Sequence, residues 1–141
     1  MTDQEILAVA KGQVEAYNER DFDKFASLVS ADLIFNEMPT GRVIKGIDEF
    51  RLIWNVWTTA FPDNYGDILN AFTTDNIAVL ELAWSGTHNG PLLTPEKEFP
   101  PTGNEFSNGL ACQIVYVNEG KVTKINHYFD ILSIMRQLNI N

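Results

Sequence analysis

Two hydrophobic periods divide this chain. Up to Phe61 apolar residues recur every three or four positions; from Tyr65 onward they alternate. Ile6, Ala10, Val14 and Tyr17 fall on one helical stripe, with Val9 beside it, which predicts a first helix from about Asp3 to Tyr17. Asn18-Glu19-Arg20-Asp21 reads as a turn, and Asp21 can cap a short second helix carrying Phe22, Phe25, Leu28 and Val29. Leu33–Met38 and Arg42–Lys45 read as short strands around the turn Pro39-Thr40-Gly41. Ile47, Phe50, Trp54, Trp57 and Phe61 then form the most hydrophobic stripe of the chain, a third helix. Asp48 and Glu49 sit in its first turn, where the helix dipole favours acids, and Pro62 ends it.

The second half alternates. Strands are predicted near Tyr65–Thr73, Ile77–His88, Glu105–Val117 and Lys121–Phe129, with hairpin turns at Thr74-Asp75-Asn76 and Asn118-Glu119-Gly120. The segment from Asn89 to Gly103 holds four prolines, which predicts an irregular loop and, at that length, a flap over a pocket. Ile131–Leu138 returns to helical spacing. Helices followed by antiparallel strands specify an α+β fold in a single domain spanning residues 1–141. A long antiparallel sheet bent around helices leaves a cone with one apolar end, a natural small-molecule site.

Composition narrows the classes. The 45% hydrophobic and 21% charged fractions over 141 residues are ordinary for one soluble globular domain. With a net charge of −9 and ten Lys and Arg scattered singly, neither nucleic acid nor an anionic membrane surface is an expected partner. There is no apolar run of membrane-spanning length, and the N-terminus opens acidic, so a cytoplasmic location is expected. Cys112 is the only cysteine and lies in an apolar run, which reads as a buried, inert thiol. His88 and His127 have no ligand spacing around them, so no metal is expected. Neither a Gly-rich phosphate loop nor a nucleophile elbow is present.

Candidate chemistry concentrates where the last strand meets the last helix. Counting back by twos from Asp130 puts Tyr128, Asn126 and Lys124 on one face, and His127 on the opposite, outer one. A carboxylate at the rim of an apolar wall acquires a raised pKa cheaply. Asp130 is equally well placed to cap Ile131–Leu138. His88 shares a face with Gly86, Trp84 and Leu82; it either meets a ligand there or bonds the Pro-rich loop. Asn36 and Glu37 alternate, so one faces inward; a buried Glu37 would be a second acid/base candidate, and an exposed edge position is the alternative. Trp54, Trp57 and Tyr17 are core or pocket wall, and Gln113 is a candidate polar anchor.

Several segments in order complete the picture: Phe61-Pro62-Asp63 after an aromatic helix, Gly86-Thr87-His88-Asn89-Gly90, Pro100-Pro101-Thr102-Gly103, Gly120-Lys121-Val122, Tyr128-Phe129-Asp130 and Gln137-Leu138-Asn139. Over about residues 5–139 the chain resembles the SnoaL-like polyketide cyclase family of the nuclear-transport-factor-2-like superfamily. The resemblance implies a cone-shaped barrel, in which a strongly curved, mostly antiparallel sheet wraps about three N-terminal helices and a short helix ends the chain. It also implies a deep pocket and a homodimer or higher homo-oligomer through the outer sheet face. The implied chemistry is intramolecular aldol closure without metal or organic cofactor, with Asp130 matching the family's acid/base aspartate and His88 the histidine of its Gly-Thr-His segment. Asn126 stands where the family often has a tryptophan, which implies a more polar pocket wall. Two readings follow: a cofactor-free enzyme acting on a small apolar carbonyl compound, or a non-catalytic module binding an apolar metabolite. A dry, uncapped Asp130 favours the first; an Asp130 spent on capping favours the second.

Overall fold

A computed structural model describes residues 1–140. Four helices, α1 (Asp3–Asn18), α2 (Phe22–Leu28), α3 (Gly46–Ala60) and α4 (Ile131–Gln137), accompany eight strands. The strands are β1 (Val29–Glu37), β2 (Arg42–Lys45), β3 (Tyr65–Thr74), β4 (Ile77–Thr87), β5 (Leu92–Leu93), β6 (Glu98–Phe99), β7 (Glu105–Asn118) and β8 (Lys121–Phe129). Six of them form one sheet in the order β2-β1-β8-β7-β4-β3. Every neighbouring pair is antiparallel except β1 and β8, which run parallel. The architecture is α+β, with the mostly antiparallel curved sheet expected from the pattern.

Side-chain caps set the helix starts. Thr2 accepts from the Glu5 N–H at 3.1 Å, Asp21 from Lys24 at 3.0 Å and Asp130 from Ser133 at 3.0 Å. α3 has no such cap, but the Glu49 carboxylate reaches back to the Lys45 N–H at 3.1 Å. The inner stripe of α3 buries Phe50, Ile53 and Trp54 against the concave sheet face, about 1.5–3 kcal/mol for each large apolar side chain. Register shifts insert an extra residue in β3 between Ile68 and Asn70 and an extra residue in β7 between Phe106 and Gly109, opposite Trp84 and Gly86 of β4, and these bend the sheet.

Two details differ from the sequence pattern. β1 begins at Val29 rather than Leu33, because Val29 is already extended, buried and paired with Val122. The Pro-rich segment is not without structure: β5 and β6 pair within it. Nor does it line the cavity. Leu92 is buried in a second apolar cluster with Phe61, Phe106, Ile134 and Leu138. Gly90 lies so close to the end of α3 that a Cβ there would stand 1.9 Å from the Thr59 carbonyl oxygen, a backbone atom that cannot give way. Among the described residues no helix is long and apolar enough to cross a membrane.

Candidate functional site

The concave face carries a transverse polar row. Glu37 on β1 pairs with His127 on β8, and His127 pairs with Gln113 on β7. These side chains share one face of three adjacent strands and line a cavity of about 700 Å³, its open mouth included. The walls are largely apolar and aromatic, from Phe35, Phe50, Trp54, Phe106, Phe129 and Ile134. Gln13 and Tyr17 from α1 and Asn64 after α3 complete the polar groups.

Glu37 is 1% exposed. Its Oε1 accepts from the Thr40 hydroxyl at 2.5 Å and from Arg42 Nε at 2.7 Å. Arg42 Nη2 is also 2.7 Å from Oε1, close enough for an ion pair but poorly directed for a hydrogen bond. Among the described residues Oε2 accepts only from Trp57 Nε1, at 2.8 Å, and so keeps acceptor capacity on a residue that lines the cavity. Arg42 reaches on to the Leu93 carbonyl at 3.1 Å, tying the β5–β6 loop to this carboxylate.

His127 is 9% exposed, and burial pushes its pKa down to about 3, so the ring is neutral at physiological pH. Trp84 Nε1 donates to His127 Nε2 at 3.2 Å, which assigns the ring proton to Nδ1. Nδ1 has no hydrogen-bond partner among the described residues, and it is not sealed from solvent. A neutral imidazole with a free Nδ1–H, on a residue that lines the cavity, is an available hydrogen-bond donor.

Trp84 holds this position because Gly66 faces it directly across the β3–β4 pair. A Cβ at Gly66 would stand 2.7 Å from the Trp84 ring. Tyr17 donates to Asn64 Oδ1 at 2.6 Å, and burial raises its pKa against the opposing pull of Arg20. Gln13 Nε2 donates to Gln113 Oε1 at 2.6 Å.

Of the residues the sequence singles out, Tyr17, Trp54, Trp57, Trp84 and Gln113 come together around the cavity. Asp130 does not: it is exposed and caps α4. His88 is fully buried under the Pro-rich loop, where its Nδ1 meets the Thr102 hydroxyl at 3.0 Å and accepts from the Thr102 N–H at 3.3 Å. Burial lowers its pKa against the Gly90 carbonyl, and Nε2 makes no well-directed hydrogen bond.

The face assignment of β8 is reversed from the sequence reading. Ile125, His127 and Phe129 face inward; Asn126 and Tyr128 face outward, Tyr128 being 42% exposed. Counting from Asp130 misleads because Asp130 lies beyond the strand, where alternation no longer holds. Asn36 also faces outward and donates to Asn126 Oδ1 at 2.8 Å, so Asn126 leaves the pocket wall unaltered. Glu37 takes the buried alternative rather than the exposed edge. Its signal was present: Leu33, Phe35 and Glu37 share one period-two register, and a charged residue in an apolar register faces inward. Gln13 and Asn64 were missed; Gln13 falls on the apolar face of α1 beside Ala10 and Val14. Among the described residues no three His, Cys, Asp or Glu side chains converge as metal ligands would.

Known proteins share this architecture. TsrD from Streptomyces laurentii superposes with a TM-score of 0.84 at 21% identity, covering 100% of this chain and 99% of that one. A protein of ketosteroid isomerase-like fold from Catenulispora acidiphila, in complex with trimethylamine, superposes with a TM-score of 0.78 at 13% identity, covering 94% of this chain and 93% of that one. An M. tuberculosis LEH-like epoxide hydrolase gives 0.74 at 14% identity, covering 97% and 91%. At these identities the likeness is one of fold. No curated protein matches the sequence. The SnoaL-like polyketide cyclase family, by contrast, matches from residue 8 to residue 138, nearly end to end, and the chain belongs to that family.

Proposed function

We propose that the cavity binds a small, mostly apolar carbonyl compound and moves a proton on it, with Glu37 as the base and neutral His127 as the electrophile. The observation that carries this reading is the pairing of Glu37 and His127 as neighbours on the concave wall, both buried and both lining the cavity. A carbonyl oxygen hydrogen-bonded by His127 Nδ1–H is polarised toward an enolate, as a neutral imidazole donor requires no proton of its own to be lost. Glu37 Oε2 accepts the proton from the adjacent carbon. The enolate then attacks a second carbonyl carbon, closing a ring in an aldol step, or takes the proton back at another carbon in an isomerisation. Protonated Glu37 returns its proton to the new alkoxide or carbon, so the balance closes within the site. Trp54, Trp57, Trp84 and Tyr17 supply the apolar wall. The family and the epoxide hydrolase-like fold neighbour support small-molecule chemistry on this scaffold.

The second reading is a binding module without chemistry. It is favoured by Asp130, whose carboxylate is spent on the α4 cap. One assay separates the two. 2-Tetralone, an apolar ketone with acidic α-protons, is incubated with the protein in D2O and deuterium uptake is followed by NMR. Catalysed exchange is expected, slowed about 10²–10⁴-fold in Glu37→Gln, with tetralone binding retained. Asp130→Asn keeps a good cap and is expected to exchange within about twofold of wild type. Binding without accelerated exchange would establish the module. Loss of exchange in Asp130→Asn but not in Glu37→Gln would return the acid/base role to Asp130.

We further propose that the chain acts as a homodimer or higher homo-oligomer through the outer sheet face, where Phe72, Leu110 and Tyr128 are exposed.

A further inference from the structure

We infer that the Gln13–Gln113 pair is a binding subsite for a cis donor–acceptor edge: an N–H or O–H beside a C=O, as in a lactam or carboxamide carried on an apolar ring. The inference rests on the cavity being a ligand site, as proposed above.

The two amides come from different elements, α1 and β7, and are 3% and 4% exposed. Both line the cavity, and the 2.6 Å bond from Gln13 Nε2 to Gln113 Oε1 is the only hydrogen bond either side chain makes among the described residues. This leaves the Gln13 carbonyl oxygen and the Gln113 amide nitrogen without protein partners. Neither atom is sealed from solvent, so both remaining groups open onto the cavity. The conclusion is independent of how the amides are oriented. If both are flipped, Gln113 donates and Gln13 accepts, and the pair still offers one free carbonyl and one free NH2 group.

A largely apolar and aromatic wall therefore presents one free acceptor and one free donor on two side chains that are bonded to each other. Such groups stay unpaired at a cost unless a ligand supplies the complementary edge. Gln113 is also the cross-strand neighbour of His127. A ligand held by its cis edge at the glutamines thus extends a second group toward the His127–Glu37 end. The amide pair fixes which end of the ligand enters, and acts as a specificity determinant rather than in the proton transfer.

2-Quinolone carries the required edge on an apolar bicycle. N-methyl-2-quinolone keeps the carbonyl but lacks the donor, and naphthalene lacks both. Affinities of all three are measured by titration calorimetry on the wild type and on the double variant Gln13→Leu/Gln113→Leu. That variant replaces both partners by apolar groups of similar size. In the wild type 2-quinolone is expected to bind about tenfold or more tighter than its N-methyl derivative. In the double variant the preference is expected to fall to within about twofold, while naphthalene binding persists and reports an intact cavity. Naphthalene binding with no preference between the quinolones, or a preference that survives the double substitution, overturns the subsite and leaves the cavity reading standing. Failure of all three compounds to bind the wild type overturns both.

Discussion

Glu37 stays dry because a set of donors is built around it. Removing a carboxylate from water costs several kcal/mol, and here Arg42, Thr40 and Trp57 together offset that cost. Only Trp57 of these bonds Oε2, which is why that oxygen retains acceptor capacity. His127 is buried with no ion-pair partner among the described residues, and the consequence is a pH dependence of known sign. Unfolded, the ring takes a proton near 6.5; folded, only near 3. As pH falls through that window the unfolded chain binds a proton the folded protein refuses. Stability from this group is therefore complete above about pH 7 and declines on acidification, by at most about 1.4 kcal/mol per pH unit for one proton. His88, whose pKa burial also lowers, adds a slope of the same sign. Urea midpoints of wild type and His127→Gln between pH 7.5 and 4.5 check this: the variant is expected to lose stability more slowly as pH falls. Parallel curves would show that His127 is not held neutral by the fold.

At the scale of elements, what matters is how adjacent strands bring single residues into line. Glu37, His127 and Gln113 stand about 90 and 14 residues apart in sequence, and only the parallel β1–β8 pairing and the antiparallel β7–β8 pairing make them neighbours. The β3–β4 pair contributes differently. Gly66 makes room for the Trp84 ring, and Trp84 in turn sets the His127 tautomer. Gly66→Ala would force the ring aside, at about 1–3 kcal/mol for overpacking, and would break the Trp84–His127 hydrogen bond. The expected readout is a ring 15N spectrum in which the His127 pattern departs from a single Nδ1–H tautomer; an unchanged spectrum would mean that Trp84 does not fix it. This chain of dependence also explains what the sequence made legible. The helical stripes, the four long strands and the aromatic members of the cavity wall follow from local period alone. The inward faces of β1 and β8 were legible in principle, since Glu37 and His127 sit in register with Phe35 and with Ile125 and Phe129. They were obscured by the expectation that polar residues face water, and by counting from Asp130, which is past the end of its strand. The Gln13–Gln113 pair and the Trp84–Gly66 contact were not legible, because they join residues that only the folded sheet brings together.

At the scale of the whole molecule the sheet has two faces with different tasks. The concave face is filled by helices and cavity. The opposite face carries a row running across the strands from Phe72 through Val79, Ile114 and Asn126 to Asn36 and Val43. Phe72, Val43, Leu110 and Tyr128 on this side are each more than two-fifths exposed. An apolar row of this length with a central Asn36–Asn126 hydrogen bond is unusual for a surface that meets only water. The self-complementary way to cover it is a two-fold contact in which the same row packs against its copy. A net charge of −9 on each chain opposes association at long range, so the contact is expected to tighten as salt screens the repulsion. Sedimentation velocity is expected to give twice the chain mass, with the dimer fraction rising between about 20 mM and 300 mM salt, a range over which the Debye length falls through one nanometre at about 0.1 M. Ile114→Lys puts a charge in the middle of the row without touching the cavity. It is expected to yield a folded monomer that still binds 2-tetralone, because Ile114 lies on the outer face and is not among the residues that line the cavity. A wild type that sediments as a monomer at all salt concentrations would mean this face is free. A monomeric Ile114→Lys that loses tetralone binding would mean that the cavity depends on the partner subunit for its shape.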